Sequence, residues 1–160
     1  MVEKIKGKFS ARGKKFGVVV SQFNEYLTRQ LLEGCLETLL GHGARQKDVC
    51  VVWVPGAFEL PLAAKKLLSA GKWDALITLA VVIKGETKHF DQVAAESARG
   101  IRELSVKSRV PVILGVIPAR SVGQAIARVG VKQMNKGREW ALAAIQMADV
   151  MKRLSKRRAR

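Results

Sequence analysis

The fold is decided by the stretch Ala75-Leu76-Ile77-Thr78-Leu79-Ala80-Val81-Val82-Ile83, which leads into a helical pattern that continues to about Ser108. Polar and apolar residues do not alternate in this stretch, which is typical of a strand buried on both faces of a sheet. The helix is indicated by one apolar face, which carries Phe90, Val93, Ser97, Ile101 and Leu104. A buried strand followed by a helix favours a sheet that is covered by helices.

The same order of strand and helix recurs along the whole chain. The predicted strands are residues 16–20, 49–54, 75–83 and 112–117. The predicted helices are residues 25–40, 58–69, 90–108 and 121–129, and a last helix with an apolar seam from Trp140 to Leu154. Strands separated by helices imply crossovers and a parallel sheet. The sequence therefore predicts an α/β fold, a three-layer α/β/α sandwich with a central parallel four-stranded sheet of the flavodoxin-like kind.

Length and composition favour one domain. A chain of 160 residues can hide roughly 68–70% of its unfolded surface as a single domain. Its residues are 48% hydrophobic but only 6% aromatic, which predicts a core of Val, Leu, Ile and Ala. We expect residues 1–160 to form that domain. Residues 1–8 would be an N-terminal arm that extends away from the sandwich or adds to a neighbour's sheet, and residues 153–160 a basic C-terminal tail.

No segment has the pattern of a membrane span or a secretory signal. No apolar run reaches the roughly 18 residues that a bilayer requires, and residues 1–8 contain no apolar stretch of the signal type. Cys35 and Cys50 lack the spacing of zinc or redox motifs, and two thiols suit a reducing compartment. These features predict a cytoplasmic protein with no membrane partner.

The formal charge of +16 is extreme for this length. It is explained either by a basic, solvated surface or by contact with nucleic acid or anionic lipid. The chain has no RNA-recognition signature and few aromatic residues on which bases could stack. The charge therefore favours non-specific attraction to polyanions over recognition of a nucleic-acid sequence.

The chemistry is expected beyond the carboxyl ends of the strands, where ligands collect in such folds. That rule selects residues 21–24, 55–59, 83–89 and 117–120. In the third segment, Gly85, Glu86 and Thr87 can offer backbone N–H groups to a phosphate, and the alternative is a plain turn with Thr87 as N-cap. His89 follows in the first helical turn, where the positive helix end disfavours a protonated imidazole. A neutral imidazole can accept or donate a proton in catalysis.

Aromatic residues follow the first two predicted strands. Phe58 could stack on a flat ring, and Glu59 could accept hydrogen bonds from sugar-like hydroxyls. Phe23 and Asn24 repeat this arrangement after the first strand. Two aromatic residues at adjacent strand ends suggest a slot for a heteroaromatic ring.

The motifs together resemble the lumazine synthase family. They are Phe23-Asn24, Pro55-Gly56-Ala57-Phe58-Glu59, Gly85-Glu86-Thr87-x-His89-Phe90-Asp91 and Asn135-Lys136-Gly137, and they occur in the family's order and approximate spacing. The resemblance runs from about residue 7 to residue 152. It implies condensation of 5-amino-6-(D-ribitylamino)uracil with 3,4-dihydroxy-2-butanone 4-phosphate to 6,7-dimethyl-8-ribityllumazine, phosphate and water, in riboflavin biosynthesis, without a metal or other cofactor.

The resemblance also implies a role for each site residue. His89 would be the proton shuttle. The residues implied around the pyrimidine ring are Phe23, Phe58 and the backbone of Val82 and Ile83. Those implied near the ribityl chain are Asn24, Ala57 and Glu59. Those implied at the phosphate are Gly85, Glu86 and Thr87, with Arg128 from the neighbouring subunit, and Lys136 would also reach in from that neighbour.

Some positions differ from the usual family pattern. Leu114 stands where a Phe usually packs against the bound ring, Lys84 replaces an Arg, and Lys88 replaces a small residue beside the phosphate site. These substitutions add positive charge or change the bulk at the site without removing the implied proton carrier.

The resemblance implies an oligomer with active sites between subunits, either a pentamer or a 60-mer of twelve pentamers. Residues 130–137 contain no insertion. In this family, a short connection between the helices at this position is associated with the 60-mer. The resemblance also allows riboflavin synthase as a partner. The competing interpretation is a binding and assembly protein on the same scaffold, a shell or flavin binder whose cationic surface recruits nucleic acid or anionic cargo.

Overall fold

The computed structural model describes residues 1–130 and 134–157. The strands are β1 (Phe16–Ser21), β2 (Val49–Val54), β3 (Ala75–Ile83) and β4 (Val112–Ala119). The α-helices are α1 (Glu25–Gly41), α2 (Leu60–Ala70), α3 (His89–Ser108), α4 (Val122–Val129) and α5 (Lys136–Arg157), with 3-10 turns at Gln46–Asp48 and Ala57–Glu59. None of these helices is both long enough and apolar enough to cross a membrane.

The four strands form one parallel sheet in the order β2-β1-β3-β4. β1 lies inside the sheet, where Val19 is paired with Val52 on one side and Thr78 on the other. This pairing confirms the predicted parallel four-stranded sheet. β1 and β3 are buried almost throughout, as expected for strands without polar alternation.

Helices cover both faces of the sheet. On one face, Val18 and Val20 share a buried cluster with Leu31 of α1 and Ile145 of α5. On the other face, Val19 belongs to a cluster that also contains Leu60 and Ala64 of α2 and Ile101 of α3. Successive β1 side chains therefore enter opposite layers, and the predicted three-layer sandwich is confirmed.

Three elements have a boundary that differs from the sequence prediction by two or more residues. The α-helix after β2 begins at Leu60 and not at residue 58, because residues 57–59 form a 3-10 turn first. β4 continues past residue 117 to Ala119, since it is an edge strand and Pro118 can point its missing donor away from the sheet. The last helix starts at Lys136, four residues before its apolar seam.

The start of α5 is fixed to α1 by Asn135. Its side-chain oxygen accepts a hydrogen bond from the N–H of Gly137 at 2.8 Å, and its side-chain nitrogen donates to the carbonyl of Gln30 at 2.8 Å. A side chain at Gly137 would collide with the carbonyl of Leu31, so only glycine allows the two helices to approach this closely. The Asn-Lys-Gly stretch thus has a structural role that also positions Lys136.

The N-terminal arm lies against α5. The backbone N–H of Lys8 donates to the carboxylate of Asp149 at 2.9 Å, and Glu3 forms an ion pair with Arg157 at 2.9 Å. The expectation that the arm extends away from the sandwich is therefore wrong for residues 3–8 within this chain, because α5 supplies partners for it. Addition to a neighbour's sheet stays a prediction.

The predicted basic tail is helical up to Arg157. Residues 153–157 are the end of α5, since the helical pattern continues beyond its apolar seam. Residues 158–160 lie outside the described residues.

Candidate active site

A cavity of about 620 Å³ lies at the carboxyl ends of β1, β2 and β3. Its size is within the usual range for small-molecule sites. Its lining comes from the segments after these three strands and from the first turns of α3. Residues 117–120, which the sequence also favoured, do not line it. They follow the edge strand β4, and the carbonyl of Ala119 accepts a hydrogen bond from the N–H of Lys84 at 2.8 Å.

Two exposed aromatic rings stand at this cavity. Phe23 is 71% exposed and Phe58 is 60% exposed, although both line the cavity. Backbone hydrogen bonds hold the two segments together, since the N–H of Phe23 donates to the carbonyl of Pro55 at 3.0 Å. Large exposed apolar side chains at a concave site are typical of ligand contacts. The arrangement can hold a flat heteroaromatic ring.

The turn between β3 and α3 offers unused donors. Among the described residues, nothing accepts a hydrogen bond from the backbone N–H groups of Gly85, Glu86 and Thr87. The helix is preceded by Lys88, whose side chain makes no capping bond. Thr87 is not the N-cap. Its hydroxyl is 3.4 Å from the N–H of His89, which is a long hydrogen bond. The free N–H groups beside a helix N-terminus suit an anion such as phosphate.

His89 is the first residue of α3, and its exposed side chain lines the same cavity as the turn and the aromatic residues. Gln92 and Val93 line the same wall one helical turn further on. Sequence reasoning did not propose these two as site residues. The helical spacing of three and four residues from His89 was the signal that could have found them.

The structure brings many of the predicted site residues together. Those that line the cavity are Phe23, Ala57, Phe58, Glu59, Val82, Ile83, Gly85, Thr87 and His89. Asn24, Lys84 and Glu86 belong to the same segments but do not line it. The side chain of Asn24 donates to the carbonyl of Val81 at 2.9 Å, so within this chain it braces the cavity wall. Asn24 has a φ of 58°, a left-handed conformation that asparagine tolerates.

Three other predicted site residues lie away from this cavity in the same chain. Leu114 lines a groove between α3 and β4 and is 42% exposed. Arg128, on α4, donates from its guanidinium to the carbonyl of Gln124 at 3.2 Å. Lys136 forms an ion pair with Glu139 at 2.7 Å. None of these three side chains lines the cavity of its own chain.

A protein-family model matches most of this chain. The model described as 6,7-dimethyl-8-ribityllumazine synthase matches residues 13–152. The match spans all four strands and includes every residue that lines the cavity.

Proposed function

The chain belongs to the 6,7-dimethyl-8-ribityllumazine synthase family, and we propose that it catalyses the condensation after which the family is named. The substrates would be 5-amino-6-(D-ribitylamino)uracil and 3,4-dihydroxy-2-butanone 4-phosphate. The products would be 6,7-dimethyl-8-ribityllumazine, phosphate and water. The observation that carries the proposal is the position of His89 in one cavity with two exposed aromatic rings and a turn whose backbone N–H groups have no partner among the described residues.

The cavity supports binding of both substrates. The pyrimidine would lie between Phe23 and Phe58, with the backbone of Val82 and Ile83 at its edge. The ribityl hydroxyls would meet Glu59 beside Ala57. Asn24 would act mainly by fixing the wall through its bond to the carbonyl of Val81.

The phosphate would be held by the turn after β3. The N–H groups of Gly85, Glu86 and Thr87 would donate to its oxygens. Lys84 and Lys88 are exposed on either side of these residues and would add positive charge near the dianion. The site would thus place the leaving group at the helix N-terminus and next to His89.

His89 would move the protons that the reaction requires. The amine of the uracil attacks the ketone, and loss of water gives an imine. Loss of a proton from the adjacent carbon gives an enamine, which expels phosphate from the following carbon. The enol left by this loss takes up a proton at its terminal carbon and becomes a ketone. Attack of the ribityl-bearing nitrogen on that new carbonyl, with loss of water, closes the ring. An imidazole can take the carbon proton and return a proton to a departing hydroxyl.

The site would be completed by a neighbouring subunit. Leu114, Arg128 and Lys136 do not line the cavity of their own chain, so their implied contacts with substrate need a second copy. Arg128 would add a bidentate cation to the phosphate, and Leu114 would cover the ring. The proposed assembly is a pentamer or a 60-mer of pentamers. The connection that bears on this choice includes residues 131–133, which lie outside the described residues. Native mass measurement distinguishes the two assemblies.

The decisive experiment supplies both substrates and follows lumazine formation by absorbance and fluorescence. The natural chain should turn over, and His89→Ala should lower kcat by about 10²–10⁴-fold, the usual size of an acid–base contribution. His42→Ala is the matched control, because His42 ends α1 outside the cavity and its ring nitrogen contacts the carbonyl of Thr38 at 2.7 Å. Absence of turnover in the natural chain, or an equal loss in both variants, would refute the proposal.

A further inference from the structure

A second surface, formed by the arm and the end of α5, combines residues 3–8 with residues 149–157; we call it the arm–α5 surface. Lys14 lies two residues before β1, and its side-chain nitrogen is 3.9 Å from the carboxylate of Asp149. The arm–α5 surface therefore lies at the amino ends of the strands. The cavity described above lies at their carboxyl ends, so the two surfaces are at opposite ends of the sheet.

The arm runs antiparallel to α5. Lys8 contacts Asp149 at one end, and Glu3 contacts Arg157 at the other. The two helix positions are about 12 Å apart at the usual helical rise, and an extended arm can cover that length. Gly7 is buried against Gln146, and a side chain at Gly7 would collide with the carbonyl of Gln146. The arm is thus fixed along its length.

The lysines of the arm face outward. Lys4, Lys6 and Lys8 are exposed, whereas Ile5 is half-buried and Gly7 is buried. This alternation is that of an extended segment with one side against the protein, so neighbouring lysines stand about 7 Å apart. The arm presents a regular line of cations.

Both acidic residues of the surface are paired within the chain. Its seven cations and two acids give it a formal charge of +5. Asp149 accepts hydrogen bonds from the N–H of Lys8 and, at 2.7 Å, from Arg153. Glu3 is paired with Arg157.

The remaining cations have no acidic partner within the part of the chain that the structure describes. They are Lys4, Lys6, Lys8, Lys152 and Lys156. Lys152 and Lys156 are exposed one helical turn apart on α5, and each lies three residues after a residue of the Asp149–Arg153 pair. They extend the charge of the arm across the end of the helix.

We propose that the arm–α5 surface binds the phosphodiester backbone of nucleic acid without reading its sequence. A row of exposed ammonium groups at regular spacing suits a polymer of regularly spaced phosphates, and each contact releases a counterion. An anionic membrane is a poorer fit, because membrane-surface segments place apolar side chains among their cations. Here the exposed Val2 and Phe9 lie at the ends of the line of arm lysines. Leu154, 43% exposed, is the one large exposed apolar side chain among residues 149–157, so the surface has no apolar face.

Fluorescence anisotropy with a labelled 20-nucleotide RNA and a labelled 20-base-pair DNA tests the proposal on the full-length chain. Binding should have a Kd of about 1–100 µM near physiological salt and weaken linearly in a log–log plot against salt. Replacing Lys4, Lys6 and Lys8 by Gln should lower the salt slope for duplex DNA by about 2–3 and weaken binding more than about tenfold at 0.1 M salt.

The matched control replaces Lys65, Lys66 and Lys72 by Gln, which removes the same charge from exposed positions on and just after α2. It should change the slope by less than about one. Equal effects of the two triple variants would overturn the proposal, because net charge alone would then explain the binding. Absence of binding at 0.1 M salt, or binding only to phosphatidylserine vesicles, would also overturn it. Melting temperatures and native mass confirm that both variants retain the fold and assembly.

Discussion

The two ends of the sheet differ in how their carboxylates and backbone N–H groups are used. At the amino ends, carboxylates are paired within the chain. Asp74 accepts from the N–H of Lys15 at 2.7 Å, Asp48 from Arg45 at 2.5 Å, and Asp149 from the N–H of Lys8 at 2.9 Å. At the carboxyl ends, the turn before α3 leaves backbone donors without partners in the described chain, and aromatic rings stand exposed.

For the carboxylates and the backbone N–H groups, this difference separates stabilising interactions from binding ones. A polar group that is paired inside the chain contributes to folding, whereas a donor that is left unpaired on the surface is available to a ligand. The pairing also changes the acids themselves. The N–H of Lys8 and the guanidinium of Arg153 hold the pKa of Asp149 below its usual value, and Arg45 does the same for the pKa of Asp48. We expect the two ends to respond differently to substitution.

The largest expected effect concerns the completeness of the site. His89→Ala and Arg128→Ala should each be nearly inactive as uniform oligomers. Chains of the two kinds, mixed at equal amounts and reassembled, should regain about a quarter of the natural activity, because random mixing pairs an intact His89 with an intact neighbour's Arg128 in that fraction of interfaces. Turnover of the reassembled mixture measures this recovery.

A mixture no more active than its components would place both residues in one chain's site. Reassembled natural chains are the reference for losses during mixing. Native mass verifies that the mixed oligomers contain both variants.

An effect of intermediate size is expected at the amino ends of the strands. Asp149→Asn should lower the free energy of unfolding by about 1.5–3 kcal/mol at pH 7, since it removes charge-assisted hydrogen bonds. The pKa of Asp149 is lowered in the folded state, so its contribution is complete above the unfolded pKa of about 3.9 and disappears as pH falls through the folded value. Urea unfolding from pH 7 to pH 3 should show the difference shrinking.

Glu96→Gln is the control for this change. Glu96 lies on the exposed side of α3, and its pairing with Arg99 at 3.7 Å is solvent-exposed, so the effect should stay within about 0.5 kcal/mol. Turnover of folded Asp149→Asn should match that of the natural chain. A loss of turnover without a loss of folded protein would show that the two ends of the sheet are not independent.

The smallest effect is at the cavity. Phe58→Leu keeps an apolar side chain but removes ring stacking, which is worth about 0.5–1.5 kcal/mol, so KM for the pyrimidine substrate should rise about 3–10-fold. Stability should hardly change, because Phe58 is exposed. Steady-state kinetics and thermal unfolding test the two statements. Leu62→Ala, an exposed apolar residue on α2 outside this cavity, should leave KM unchanged.

Sequence and structure agree best where the signal is local and repeated. Four apolar strands, each separated from the next by a helical pattern, predicted the parallel sheet, because a strand without alternation must be covered on both faces. The loop segments after β1, β2 and β3 were also identified, since the carboxyl ends of parallel strands meet at one edge. The helical spacing from His89 could have pointed to Gln92 and Val93, but that they line the cavity also depends on how α3 lies over the sheet.

The sequence by itself determined the fold class, the layer order and the segments that carry the candidate chemistry. The reason is that the period of hydrophobic residues and the direction of the strands are properties of the chain. Only the tertiary structure decided that Asn24 bonds to Val81, that Asn135 joins α5 to α1, and that the arm lies along α5. Each of these depends on a partner distant in sequence, and such partners are chosen by the packing of the whole chain.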